Sequence, residues 1–245
     1  MLVPFRAGAP VWLVVAAAAV ACLEHEWADG ALDQSLLAQG PLWLLQKIRN
    51  VVRGLRQKWS SAEAKGRLWD GEYSSGRWDH CEFTPEDQIY EYVYRYCNNG
   101  SVLDVGCGSG NTGNELDASR YSDYTGIDVS DIAIKKAAAR SAANGRTHKN
   151  CYQQGDLLRF VPSHKYDVIL FRESIYYVTR SAIKGVLNRY AGYLTEQGVL
   201  IVYVGGVQAR KASRILKIIE TNFEIVGRGP TERPGQFLVV FKPPR

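Results

Sequence analysis

The chain has 245 residues, with 30 Lys and Arg against 25 Asp and Glu, a formal net charge of +5 and 46% hydrophobic residues. That length suits one buried α/β core with an extension. Residues 1–67 hold 8 basic against 5 acidic side chains and residues 68–245 hold 22 against 20, so the larger part lacks the basic face that a nucleic-acid substrate asks for.

The first element is apolar. From Ala7 to Leu23 seventeen residues carry no charge, somewhat fewer than the ~20 of a comfortable membrane span. Three readings stay open: a membrane anchor, a cleaved signal peptide with Arg6 before it and Ala19, Val20 and Ala21 as its exit, or residues added by an upstream start. Seven Lys and Arg between Lys47 and Arg67, against Arg6 alone on the other side, favour an anchor with the rest of the chain cytoplasmic. Residues 42–59 then predict an amphipathic helix. Leu44, Leu45, Ile48, Val51, Val52, Leu55 and Trp59 share one face of roughly 120°, bordered by Lys47, Arg49, Arg53, Arg56 and Lys58. Such a helix lies on an anionic membrane surface or covers the following domain as a lid. These segments form an N-terminal extension, residues 1–66, ahead of a domain over 67–245.

The domain opens on an aromatic stretch, Leu68 to Phe83, in which Tyr73 sits beside a turn of Gly71, Ser74, Ser75 and Gly76, and Trp78 follows. Pro85 to Tyr96 predicts a helix packed through Ile89, Val93 and Tyr96. Val102, Leu103 and Val105 form a buried strand running into Gly106, Gly108 and Gly110, a loop whose glycines allow a sharp turn and close approach of a ligand. A helix from about Asn111 points free N–H groups at that loop. A second strand, YTGID, ends in Asp128, an acid placed to accept from ribose hydroxyls. Ser130 is an N-cap candidate for a helix over 131–143. Then follow a strand over 150–154 with Gly155 and Asp156 after it, a strand over 166–171 leading to Arg172, Glu173, Tyr176 and Tyr177, a helix from Thr179 or Ser181 to about Thr195, a strand over 198–204, a helix over 207–221, and two closing strands, 223–228 and 236–242, joined by GPTERPG. Arg210, Lys211, Arg214 and Lys217 on the last helix read as a solvated face before an anion site.

Two cofactors fit the glycines. Gly108, Gly110 and Gly113 satisfy GxGxxG, with Asp128 twenty residues past Gly108. That register puts Asp104 and Gly106 inside the strand, where a dinucleotide site has apolar residues. Read from Asp104, the loop is DxGxGxG, which resembles the first motif of class I S-adenosylmethionine-dependent methyltransferases, and the order of later strands follows theirs. The resemblance implies a Rossmann-like α/β fold, with a seven-stranded sheet whose last strand is antiparallel and the helical extension before it. It also implies S-adenosyl-L-methionine as cofactor, held by Asp104, Gly106, Cys107, Gly108 and Gly110 at its methionine end. Asp128 and Val129 would lie at the ribose, Asp156 and Leu157 at the adenine, and Arg172 beside the loop. Tyr73 and Trp78 look like the entry motif whose aromatic ring covers the cofactor, although core packing explains Trp78 equally well. For Cys107 the plain reading is a small loop residue. The five cysteines are scattered, without a CxxC pair, so neither a disulfide framework nor a metal site is suggested, and a reducing compartment fits.

The acceptor crevice of such a sheet opens where strand order reverses, between the first and fourth strands. Methyl transfer needs a base only to take a proton from the acceptor. Glu173 is the candidate, with Tyr176 or Tyr177 orienting the acceptor; the competing reading makes Glu173 a loop hydrogen-bond partner. His164 reads as a surface residue. RESIYYV after YDVILF resembles the nodulation protein S group, which acts on an amino sugar nitrogen, although Arg172 departs from that group's pattern. The function expected is methyl transfer to N or O of a small or sugar-type molecule. A non-catalytic S-adenosylmethionine-binding protein and an NAD(P)-dependent oxidoreductase remain alternatives.

Overall fold

The computed structural model describes residues 42–230 and 234–244, so the apolar stretch 7–23 and part of the GPTERPG turn lie outside the described residues. The described residues fall into two units that divide between Lys65 and Gly66. In the first, α1 (Leu42–Trp59) spans the amphipathic stretch, and Val51 and Trp59 of its apolar stripe are 49% and 62% exposed. No helix among the described residues is long and apolar enough to cross a membrane.

After α2 (Ala62–Ser74), the second unit continues with α3 (Ile89–Cys97), β1 (Ser101–Val105), α4 (Asn111–Glu115), β2 (Asp123–Asp128), α5 (Asp131–Ala143), β3 (Asn150–Gln154), β4 (Tyr166–Arg172), α6 (Arg180–Ala191), β5 (Leu194–Val204), α7 (Ala209–Asn222), β6 (Glu224–Arg228) and β7 (Phe237–Lys242). The seven strands run in the order β3-β2-β1-β4-β5-β7-β6. All neighbours are parallel except β7, which is antiparallel to both β5 and β6. The chain moves outward from β1 on one side and from β4 on the other, so the crevice at their C-terminal ends is the switch point of the sheet.

Alternation along the strands gives each face its core. Leu103, Val105, Ile169, Phe171, Leu200 and Val202 pack under Ile183 and Leu187 of α6 and Ile215 and Ile219 of α7. Val102, Val168, Leu170 and Ile201 pack under Ile89 and Val93 of α3. The strand positions that alternate into this second face near the switch point are polar: Asp104, Arg172 and Tyr203.

Four boundaries differ from expectation. Gly71 lies inside α2 instead of a turn. A Cβ at Gly66 would stand 3.2 Å from the Val129 carbonyl, and Asp70 accepts from Ser130 Oγ (2.6 Å) and the Ile132 N–H (3.1 Å), so contacts with the start of α5 outweigh two poor helix formers. The helix expected from Pro85 begins at Ile89, whose N–H donates to Asp87 Oδ1 at 3.1 Å. Tyr96 is half-buried, its hydroxyl donating to the Val226 carbonyl, while Tyr90 and Cys97 take the buried places beside Ile89 and Val93. α6 stops at Ala191, and β5 begins at Leu194 and passes through Gly198, where the register against β4 shifts and a Cβ would come within 2.7 Å of the Tyr166 carbonyl. Ser130 caps α5 as expected, accepting from the Ala133 N–H at 3.1 Å.

Candidate active site

The loop between β1 and α4 is built on backbone that side chains resist. Gly106, Gly108 and Gly110 have φ of 84°, 55° and 75°. A Cβ on Gly106 would lie 2.5 Å from Ser174 Cβ, and one on Gly110 2.6 Å from Ala137 Cβ. Gly108 faces outward. There a Cβ would meet the Tyr73 hydroxyl at 2.6 Å, so the ring from α2 lies over the loop. Burial, then the charge of Asp128, raises the Tyr73 phenol and keeps it protonated.

Asp128, ending β2, is tied to this loop. Its Oδ2 accepts from the Gly108 N–H at 3.0 Å and its Oδ1 from the Ser130 N–H at 2.9 Å. Each oxygen keeps a lone pair for a ribose hydroxyl. Burial pushes this carboxyl up to about 6 despite those bonds. The neighbouring Val129 carbonyl accepts from Gln154 Nε2. The Gly155 N–H donates to the Asp128 carbonyl, which brings the β3 loop alongside, and there Asp156 Oδ1 turns back onto the Leu158 N–H at 2.8 Å. Leu157 packs at the margin of the core and its carbonyl accepts from Tyr190 Oη.

Asp104 is buried on the α3 side, 1% exposed, with Oδ2 accepting from Tyr124 Oη at 2.6 Å and Oδ1 left without a hydrogen-bond partner. Burial raises it to about 6. Tyr124→Phe removes the one short hydrogen bond to this buried acid, so we expect it to lower stability by about 1–3 kcal/mol at neutral pH, and less at pH 5, where the acid is protonated. Denaturant unfolding at the two pH values checks this; equal stability of variant and parent at neutral pH would contradict it. Cys107 lies beneath the loop, and burial carries its thiol well above the ordinary range, so it has no thiolate character there.

Arg172, expected beside the glycine loop, reaches Thr112 just past that loop and is otherwise held by the segment before α3. It pairs with Asp87 and donates to Thr84 Oγ1 (3.0 Å) and Thr112 Oγ1 (3.3 Å), with Tyr90 beneath the guanidinium. It braces the segment before α3 against the start of α4, because the alternation of β4 turns residue 172 to the α3 face. Trp78 donates from Nε1 to Glu72 Oε2 at 3.0 Å and packs 5.9 Å from Trp69. Trp69, which no sequence motif marks, is the aromatic centre: it lies 6.4 Å from Tyr73 and meets Tyr177 edge-on at 4.9 Å. Its spacing of four from Tyr73 on one helix was the available signal, hidden by Gly71.

Glu173 follows β4 with φ of 54°, a left-handed conformation that a glutamate adopts only under constraint. Its Oε1 accepts from the Gly205 N–H at the end of β5. The Tyr176 hydroxyl and the Gly206 N–H also stand by this carboxyl and favour its ionised form. Burial outweighs them and raises the carboxyl, which makes it a stronger base. The loop-partner reading and the acid's place at the crevice therefore hold together. Tyr176 packs tilted against Tyr177, ring centroids 4.6 Å apart, and Lys211 Nζ stands 4.7 Å from the Tyr176 ring centre.

The strand order, the glycine loop and the acid after β2 give the fold of class I methyltransferases, the class that uses S-adenosylmethionine, and residues 103–200 match the family model described as a methyltransferase domain. Two curated relatives are similar over about half of the chain. A protein-lysine N-methyltransferase of Saccharomyces cerevisiae is 28% identical over 142 residues, 53% of this chain and 60% of its own length. A sterol 24-C-methyltransferase of Aspergillus fumigatus is 26% identical over 144 residues, 54% of this chain and 38% of its own. The chain thus spans less than two thirds of either relative. Among solved structures, the N-methyltransferase NodS of Bradyrhizobium japonicum WM9, in complex with S-adenosyl-L-homocysteine, shares the fold with a TM-score of 0.58 at 19% identity, over 74% of this chain and 98% of that one.

Proposed function

We propose that this domain transfers a methyl group from S-adenosylmethionine to a nitrogen or oxygen of a small or saccharide-type acceptor. The observation that carries the reading is the outward face of Gly108, which leaves room for no side chain, set beside an Asp128 with free lone pairs. The residues fit the cofactor: the loop backbone around Gly106, Gly108 and Gly110 would hold its methionine end, Asp128 its ribose, Asp156 with Leu157 its adenine, and Tyr73 would cover it. When bound, the cofactor supplies an electrophilic methyl on a sulfonium. The protein's part is to hold the acceptor in line, exclude water through Trp69, Tyr73 and Tyr177, and take a proton at Glu173. The S-adenosyl-L-homocysteine bound to NodS supports the cofactor, while the acceptors named for the two relatives, a protein lysine and a sterol carbon, are theirs. Incubation with methyl-labelled S-adenosylmethionine and a metabolite extract tests it: label in a small-molecule product is expected, and label confined to protein would overturn the acceptor class.

The stripe of α1 adds a second proposal, association with an anionic membrane surface through residues 42–59, which places the domain at the cytoplasmic face. Val51 and Trp59 are exposed beside Arg56 and Lys58. The full chain is expected to pellet with phosphatidylserine vesicles at low salt; a chain that stays in the supernatant sinks the idea.

A further inference from the structure

The turn that carries Glu173 is clamped from two sides. A left-handed glutamate persists only where its surroundings fix it. On one side the Glu173 N–H donates to the Tyr203 carbonyl at 2.9 Å, and the Ser174 hydroxyl donates to the Val105 carbonyl at the end of β1. Ser174 also fills the space where Gly106 would carry a Cβ, so the glycine loop closes this side. The other side is aromatic. A 3₁₀ turn, Ile175–Tyr177, brings the Tyr176 hydroxyl to the Glu173 carboxyl and sets Tyr177 against the edge of Trp69 at 4.9 Å. Trp69 is itself held in place, because Asp70 ties α2 to the start of α5, and Trp78, bound to Glu72, packs on it at 5.9 Å. The same helix sets Tyr73 over Gly108. One helix therefore meets both the glycine loop and the turn of the candidate base.

We propose that Trp69 is a positioning residue for Glu173, acting through Tyr177 and Tyr176 to hold the strained turn so that the carboxyl stays packed against the β5 loop and shielded from water. This rests on the methyl-transfer reading, in which Glu173 takes the acceptor's proton. Truncating Trp69 removes the ring that Tyr177 leans on and opens the aromatic side of the turn. Two effects on the carboxyl then oppose each other. Water that enters favours its charged form, while loss of the Tyr176 hydroxyl disfavours it. Burial is the larger influence in the intact protein, so its relief wins and the carboxyl moves down. The other ionisable groups that face Glu173 are Arg172 on β4, Tyr203 on β5, Tyr176 on the turn and Cys81 beyond α2. Arg172 stays charged, and burial keeps the two phenols and the thiol neutral, so none of these changes charge between about pH 4 and 8. On α7, Lys211 lies against the Tyr176 ring.

The test follows the carboxyl itself and needs no acceptor. The full chain, isotope-labelled at the glutamate carboxyl carbon, is titrated by NMR, with the Glu173 signal assigned as the one lost in Glu173→Gln. In the parent its midpoint should lie above the ordinary glutamate range. Trp69→Ala should lower that midpoint by about one pH unit, and Tyr177→Leu, which cuts the same link from the other side, should lower it likewise. Trp69→Phe keeps a ring against Tyr177 and should restore the parental midpoint. Tyr176→Phe should move it the opposite way, upward, because only the hydroxyl is lost. Cooperative unfolding of each variant shows that the domain is intact, and should Trp69→Ala fail to fold, Tyr177→Leu decides. An unchanged midpoint in Tyr177→Leu or in a folded Trp69→Ala overturns the proposal, as does a fall in Trp69→Phe as large as that in Trp69→Ala. Failure of the methyl-transfer reading looks different: no calorimetric binding of S-adenosylhomocysteine by the parent.

Discussion

Replacing Asp128 by alanine is expected to weaken S-adenosylhomocysteine binding about 5- to 150-fold, the ~1–3 kcal/mol of lost bonds to a charged acceptor, while unfolding stays cooperative. The carboxylate accepts from Gly108 and Ser130 at once, so it shapes the loop as well as offering lone pairs to a ligand. Asp128→Asn separates these contributions, since the amide keeps one acceptor oxygen and presents a donor where the other stood. The pH dependence follows from the same group. Protonation removes acceptor capacity, so affinity should be level above about pH 7 and fall as pH drops through about 6, by up to ~10-fold per unit. Stability of the free protein runs the other way. A folded value raised above the unfolded one contributes stability that is fully present below about pH 4 and lost as pH rises through about 6, and Asp104 adds the same sign. Affinity measured by calorimetry at pH 5, 6, 7 and 8 checks the first trend, and a flat profile would contradict it.

The second large effect is expected at Glu173. Glu173→Gln retains an oxygen for the Gly205 N–H but no longer takes a proton, so turnover should fall about 10²- to 10⁴-fold with cofactor affinity unchanged. Unchanged turnover would leave the residue as a loop brace alone. Its left-handed backbone bears on the design of the control. Glu173→Gly relieves strain of order 1–3 kcal/mol but releases the β5 loop, so a gain in stability with loss of activity would show that the strained conformation is kept for the site.

Much of the arrangement was legible in the residues. β1 and β4 carry apolar runs, the glycine spacing marks the loop, and Ser130 announces α5, so these elements and Asp128 fall where the pattern puts them. Local signals failed where long-range contacts decide. Nothing near Gly66 and Gly71 suggests a helix, because what holds it is Asp70 on the start of α5, sixty residues away. Arg172 follows an apolar strand beside a loop acid, and only the alternation of β4 against β1 directs it to Asp87.

The most direct test of the central claim is calorimetric titration of the full chain with S-adenosylhomocysteine and, separately, with NADH. Saturable binding of S-adenosylhomocysteine, weakened in Asp128→Ala, with no binding of NADH is the predicted result; preferential binding of NADH would contradict the account.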